Sequence, residues 1–261
     1  MKRRNLIIAS AGIAGGMCAR LARAATPCPP SWVSVSGGTS ASTSCPSASA
    51  SLYTTNFPAT ENPLSEAGKW ICGGATGIDW NNPLTTGGHC AASVPAAAPS
   101  RYSDDIAILK SSFQAFTANQ FAQATVYKAS GYSGNGGGHE VELLLRFSVG
   151  AHDAHGYEIL WGIAGYLAVV RWNGPVGNYT PIYDPGAGSM PVPQDGDVLR
   201  AEISGNIIKV YRNGSQVGPN VDVSSVGTVY TSGQPGLGFW PVDGATPGSM
   251  GWKSWSAGNL S

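Results

Sequence analysis

Short runs of β-branched and aromatic residues, separated by glycine and asparagine, fill the second half of the chain and restrict its fold most. Three such runs are "GYEILWGI", "GYLAVVRWNG" and "DVLRAEISGNIIKVYRNGSQVG". Within the last run, Asn213-Gly214 suits a tight hairpin turn, because both central residues of that turn must adopt φ > 0. Helical periodicity of comparable length is missing from the sequence. The spacing predicts an all-β sandwich of two antiparallel sheets.

Composition agrees with an exported β protein. Charged residues make up 11% of the 261 residues, which include 36 glycines and 18 prolines. The formal charge is zero, but five basic residues and no acidic ones lie in the first 24 positions. Without them the chain has 10 basic and 15 acidic residues, a net charge of 10 − 15 = −5. This charge argues against nucleic acid or an anionic membrane as the partner.

The first 24 residues have the order of an export signal. "MKRR" is followed by the apolar stretch "NLIIASAGIAGGM" and by the small-x-small site Ala22-Arg23-Ala24. The apolar stretch is too short to cross a bilayer as a helix, so membrane insertion is not expected. We predict cleavage near Ala24 and export to the periplasm or the medium. The pair Arg3-Arg4 leaves the twin-arginine and the general export routes both open.

Residues 25–51 are rich in serine and proline and predict an irregular N-terminal segment, whereas residues 52–261 predict one globular domain. Four cysteines follow the predicted cleavage site, and an even number in an oxidising compartment indicates disulfides. The local pairings Cys28–Cys45 and Cys72–Cys90 are expected. Zinc is the rival interpretation, but no two of these cysteines have the close spacing of a zinc site.

The succession "VELLLRFS", "GYEILWG", "GYLAVVRWNG" and "GQPGLGFW" resembles the concanavalin A-like lectin and glucanase superfamily. The similarity covers roughly residues 52–260 and is greatest to laminin-G-like jelly rolls of bacterial exported proteins. Its most specific part is Gly196-Asp197, Gly205-Asn206 and the hairpin at Asn213-Gly214. The resemblance implies a jelly roll whose partner is a polysaccharide or another glycan. Lectins, binding modules, glycosidases and lyases share this fold, so the fold does not choose among them.

The stretch "GGGHEVELLLRF" carries the residues on which the function depends. If it is one strand, Glu140, Glu142 and Arg146 lie on one face, and Val141, Leu143, Leu145 and Phe147 lie on the core face. Two carboxyl groups at alternate positions could approach the separation of a retaining glycosidase. Jelly-roll glucanases carry Glu-x-Asp-x-Glu or Glu-x-Asp-x-x-Glu on one strand, whereas here Glu-x-Glu is followed by Leu144 and Arg146, so that neither the middle nor the last acid matches. The sequence therefore predicts a solvated polar face, with catalysis by Glu140 and Glu142 as the alternative.

Other polar and aromatic residues extend the candidate site. Trp172 and Tyr179 flank a glycine-containing loop, where an exposed platform could stack on a sugar ring. The segment "HDAH" places His152 and His155 at a loop, where they could contact a ligand. His139 and Tyr157 are further candidates under the enzyme alternative. Jelly-roll sugar modules often hold calcium through an early Asp, but this chain has Asn56 in "TTNF", so neither a metal nor a cofactor is predicted.

Three functions follow in order of preference. The first is an exported carbohydrate-binding jelly roll, with Arg146, Glu142, Trp172, Tyr179, His152 and His155 as the ligand-binding residues. The second is a small polysaccharide hydrolase or lyase that uses Glu140 and Glu142. The third is a structural or adhesive surface domain.

Overall fold

The computed structural model describes residues 52–76, 80–93, 104–134, 138–241 and 246–260. The predicted signal peptide, the N-terminal segment and the pair Cys28–Cys45 lie outside these residues. Sixteen strands and two short 3-10 helices, Gly73–Thr76 and Val223–Val226, make up the described secondary structure. The strands are β1 (Leu52–Thr55), β2 (Thr60–Glu61), β3 (Trp70–Cys72), β4 (Leu84–Thr86), β5 (Cys90–Ala91), β6 (Asp105–Leu109), β7 (Gln120–Lys128), β8 (Glu140–Gly150), β9 (Asp153–Gly162), β10 (Tyr166–Gly174), β11 (Tyr179–Tyr183), β12 (Val198–Ser204), β13 (Ile207–Arg212), β14 (Ser215–Asp222), β15 (Gln234–Trp240) and β16 (Met250–Asn259).

The strands form two antiparallel sheets packed as a sandwich, which confirms the predicted fold class. The nine-stranded sheet has the order β14-β13-β12-β7-β16-β5-β4-β2, with β1 also pairing with β16. The seven-stranded sheet has the order β11-β10-β9-β8-β15-β6-β3. In both sheets the central strands are neighbours that lie far apart in sequence, as in the pairs β7–β16 and β8–β15. The N- and C-terminal halves of the described chain are therefore interleaved.

The principal core lies between the two sheets. Alternate residues of β7 and β12 point inward, as expected for strands with one buried face. Val141, Leu143 and Leu145 of β8 join this core as the sequence predicted, and each of the three is fully buried.

Two predicted turns are confirmed by their backbone angles. Asn213 and Gly214 join β13 to β14 with φ values of 51° and 80°, as a primed hairpin turn requires. Gly205 has a φ of 55° in the turn between β12 and β13. These turns fix the register of the three-stranded edge formed by β12, β13 and β14.

A second apolar cluster covers the outer face of the seven-stranded sheet. Trp80, Leu144, Phe147, Leu160 and Trp172 belong to it, and all of them are buried. The Trp80 ring lies 4.5 Å from the ring of Trp172 and 5.8 Å from that of Phe147, measured between centroids. Strand β8 is therefore covered on both faces, which is why its first eight residues are all buried.

The predicted disulfide Cys72–Cys90 is wrong for this structure, in which both thiols are free and buried. Cys72 ends β3 in the seven-stranded sheet, whereas Cys90 begins β5 in the nine-stranded sheet. The Cys72 Sγ lies 3.1 Å from the carbonyl oxygen of Leu64. Burial raises the pKa of Cys72 to about 12 and also raises that of Cys90. The two thiols enter the same core from opposite sheets, near enough for Cys72 to contribute to the raised pKa of Cys90, but they are not bonded.

None of the helices in the described ranges has the length and apolarity needed to cross a membrane.

Candidate functional site

Glu140 and Glu142 lie on the outer face of the seven-stranded sheet, but this face is not solvated. Both side chains are 0% exposed, which overturns the prediction of a polar surface in contact with water. The sequence identified the correct face of β8. It did not show that the outer face is covered, because the covering residues, such as Trp80, are distant in sequence.

A third carboxylate, that of Glu158, joins the two on β8. Glu158 lies on β9 directly opposite Leu144, and Glu142 lies opposite Leu160 on the same strand. One carboxylate oxygen from each of Glu140, Glu142 and Glu158 lies within 4.8 Å of the other two. The neighbouring strand thus supplies an acid at the position where the sequence of β8 has leucine. We call these three residues the carboxylate cluster.

Aromatic donors hold two members of the cluster. The indole Nε1 of Trp172 donates a hydrogen bond of 2.5 Å to Oε2 of Glu158. The hydroxyl of Tyr166 donates to Oε1 of Glu140. Both donors lie on β10, one strand beyond β9. Because their rings are packed into the sheet face, the two carboxyl groups have fixed orientations.

Glycines on the same face give the cluster its space. Gly238 of β15 lies opposite Glu142, and a Cβ at Gly238 would overlap Oε2 of Glu142. Gly162 of β9 lies beneath the ring of Tyr166, where a Cβ would overlap that ring. The absence of a side chain at these two positions leaves room for the carboxylate of Glu142 and the phenol of Tyr166.

Arg146 does not share the face of the two glutamates. It adopts a φ of 48°, and the pairing of β8 with β9 shifts between Leu145 and Ser148. This bulge adds one residue to β8 and reverses the alternation beyond it. Phe147 therefore lies in the outer cluster rather than in the core between the sheets, which corrects its predicted face. Arg146 itself is 2% exposed and donates to three backbone carbonyls.

Trp172 and Tyr179 do not form an exposed platform. Trp172 is 1% exposed and packs among the outer cluster. The ring of Tyr179 is half-buried and lies 5.3 Å from that of Trp172. The prediction failed because β10 and β11 extend up to both residues, so that only the few residues between the strands form the loop.

The candidate histidines and Tyr157 do not form one site. His139 is buried beside the cluster strand, with Nδ1 2.8 Å from the hydroxyl of Tyr132. His152 is exposed in the turn between β8 and β9. His155 lies 3.0 Å from Asp153 and 3.1 Å from the hydroxyl of Tyr230. Tyr157 points into the core between the sheets, so it does not reach the carboxylate cluster.

The arrangement of the cluster limits its chemistry to two kinds. Three carboxylates this close cannot all be ionised in a buried site without a cation between them. If no cation is bound, at least one of the three carries a proton. Shared protons suit acid–base and nucleophilic catalysis, for which two carboxyl groups need different protonation states. Alternatively, the three oxygens form a hard donor set of the kind that calcium or magnesium prefers. Among the described residues, this is the one group of three such side chains that could hold a metal ion.

Comparison with known proteins finds similarity at the level of the fold. A glycoside hydrolase family protein from Mycobacterium thermorestibile is 11% identical with a TM-score of 0.49, over 78% of this chain and 99% of that one. The carbohydrate binding module CBM66 from Bacillus subtilis is 12% identical with a TM-score of 0.46, over 75% and 95%. Sheep galectin-11 is 11% identical with a TM-score of 0.38, over 55% and 92%. No protein-family model and no curated protein sequence matches the chain.

Proposed function

We propose that this chain is an enzyme that cleaves or transfers glycosidic bonds at the carboxylate cluster of Glu140, Glu142 and Glu158. The observation that carries the proposal is the meeting of three carboxylates, from two strands, within 4.8 Å. It takes precedence over simple carbohydrate binding, because Trp172 packs against Trp80 and does not form the exposed platform expected of it.

Carboxylate oxygens within 4.8 Å of one another are closer than an inverting mechanism requires, and we therefore propose a retaining one. Retaining glycosidases place two carboxyl groups about 5–5.5 Å apart, whereas inverting enzymes leave about 6.5–9.5 Å for a water molecule. One carboxylate attacks the anomeric carbon and forms a glycosyl-enzyme ester, while a protonated carboxyl group donates its proton to the departing oxygen. Water then cleaves the ester after losing a proton to the second group. An acceptor sugar in place of water would give transfer.

The third carboxylate supports the different protonation states that the nucleophile and the acid require. A like charge nearby makes one carboxyl group of a pair hold its proton, which supplies the general acid. The hydrogen bonds from Tyr166 and Trp172 stabilise the ionised form of the group that accepts each of them. Substrate entry requires displacement of the side chains that lie on this face, and Trp80 is the largest member of that cover near Trp172.

The test is to incubate the mature protein with a panel of polysaccharides and to measure new reducing ends and transfer products. We expect one polysaccharide to be cleaved, with the anomeric configuration retained in the first product seen by NMR. Glu142→Gln and Glu140→Gln should remove turnover without loss of the fold. Inversion of configuration would contradict the mechanism, and full activity in both variants would contradict the site.

A second candidate is glycan binding by the outer face of the nine-stranded sheet. The guanidinium carbon of Arg200 lies 3.7 Å from the centroid of the Phe121 ring, and Glu202 accepts from Arg200 at 2.7 Å. A shallow depression of about 300 Å³ there is lined in part by Gln123 and Tyr211. Aromatic, amide and charged groups together suit a sugar. Saturable binding that is lost in Phe121→Ala, together with no cleavage of any glycan, would favour this second function.

A further inference from the structure

A second polar cleft lies apart from the carboxylate cluster, beyond the bulge in β8. Its volume is about 330 Å³. Val229 and six polar residues line it: Arg146, Ser148, His155, Tyr230, Thr231 and Ser232. Nothing in the chemistry proposed for the carboxylate cluster uses these side chains.

Arg146 is a buried cation with no acidic partner among the described residues. Its Nε donates to the carbonyl of Ala118 at 2.7 Å, Nη1 to that of Tyr230 at 2.8 Å, and Nη2 to that of Gly205 at 2.7 Å. The ion pairs between described residues do not include Arg146. Buried charges are usually paired, because removing an ion from water is costly. Burial accordingly lowers the pKa of Arg146, but a guanidinium stays charged at neutral pH.

The guanidinium still has donors to offer. It carries five N–H groups, and its three hydrogen bonds use three of them, which leaves one on each terminal nitrogen. A carboxylate or a sulfate can accept from two such groups at once. The backbone at Arg146 has a φ of 48°, a conformation that residues with side chains seldom adopt. It belongs to the bulge in β8, and bulges are over-represented next to active sites, where they redirect a side chain.

The charged surroundings of the cleft are mainly positive. The guanidinium carbon of Arg171 lies 4.6 Å from the centroid of the Tyr230 ring. Asp153 is the acid of this region, and its carboxylate is 2.9 Å from Nε2 of His155. The hydroxyl of Tyr230 donates to the carbonyl of Trp172 and lies 3.1 Å from Nδ1 of His155. The Asp153 carboxylate is therefore engaged by His155 rather than by Arg146.

We propose that this cleft binds an oxyanion, the carboxylate or sulfate group of an acidic saccharide, with Arg146 as its charged donor. The hydroxyls of Ser148, Thr231 and Ser232 supply further hydrogen bonds. The site does not depend on catalysis by the carboxylate cluster: a chain that only binds glycans would use it equally well.

The experiment is a calorimetric titration of the mature protein with three probes: inorganic sulfate, galacturonate and neutral galactose. Sulfate and galacturonate should bind in a saturable manner, and galactose should not. Arg146→Lys removes the paired donors, but it also removes hydrogen bonds to backbone carbonyls that hold the neighbouring loops. A loss of binding in this variant could therefore come from the loops, and the double variant Ser148→Ala/Thr231→Val is measured beside it. That variant leaves Arg146 and its carbonyl contacts intact and should weaken anion binding about tenfold. Lys253→Gln, which removes a surface cation that pairs with Asp195, is the matched control and should bind normally.

Each outcome decides the proposal. Binding of galacturonate alone assigns the site to a sugar carboxylate, binding of sulfate alone to a sulfate ester, and binding of both supports the general oxyanion site. Binding of neither anion overturns it, as does equal anion binding by the folded double variant and the wild type. Repeating the titration in Glu142→Gln separates the two proposals, since that change should remove cleavage and leave anion binding unaltered.

Discussion

Trp80→Ala tests whether the outer face of the seven-stranded sheet is a second core in solution. Trp80 is 3% exposed, and its ring packs at centroid distances of 4.5 Å from Trp172 and 5.8 Å from Phe147. Truncation removes a large apolar surface and leaves a cavity that the strand side chains cannot fill. Replacing a buried aromatic residue by alanine usually costs about 3–5 kcal/mol. We expect a loss of that size, which is a large part of the total stability of a domain.

The measurement is urea unfolding followed by far-UV circular dichroism, because the variant lacks one tryptophan and its fluorescence is changed. Leu52→Ala is the control: Leu52 is 61% exposed, and its truncation should change the free energy of unfolding by less than about 0.5 kcal/mol. A loss below about 1 kcal/mol in Trp80→Ala would refute the reasoning. It would mean that Trp80 does not cover this face and that the carboxylate cluster is open to water.

Three further predictions follow from single contacts. Burial raises the pKa of Asp105 from 3.8 to about 7, so the stability it contributes is present below pH 3.8 and is lost as the pH rises through 7. The free energy of unfolding of Asp105→Asn, measured with urea, should therefore increase relative to that of the wild type between pH 3.8 and 7. If the two free energies change with pH in parallel, the raised pKa is contradicted. Cys72 and Cys90 should react with a thiol reagent only after unfolding; an unreactive pair in denaturant would indicate a disulfide. Gly238→Ala should displace the Glu142 carboxylate and abolish turnover, and unchanged activity would argue against the site.

The fold could be predicted from the sequence because its signals are local. Alternating apolar residues indicated strands, and Asn213-Gly214 indicated a hairpin with the register that the structure shows. The inward face of β8 was correct for Val141, Leu143 and Leu145. The predicted face was wrong for Phe147, because the bulge at Arg146 leaves no signal in the pattern of apolar residues.

The candidate site could be predicted only in part, because its members come from different strands. Glu140 and Glu142 stand out within one stretch of sequence, whereas Glu158 joins them through the pairing of β8 with β9. In "GYEILWGI" Glu158 is the one acid in a β run of otherwise uncharged residues, and this was the available signal. The burial of Glu142 and Trp172 could not be predicted, since it depends on the second apolar cluster, and that of Arg146 depends on the bulge in β8.

The central claim is that Glu158 acts with Glu140 and Glu142 although it lies on another strand. The most direct measurement is the rate of polysaccharide cleavage by Glu158→Gln, compared with Asp195→Asn in the turn before β12. Both changes replace one carboxylate by its isosteric amide, and only the first touches the carboxylate cluster. We expect Glu158→Gln to lose turnover by about 10²–10⁴-fold, the usual contribution of a positioned acid or base, while Asp195→Asn keeps the wild-type rate. Wild-type turnover in a folded Glu158→Gln protein would contradict the claim.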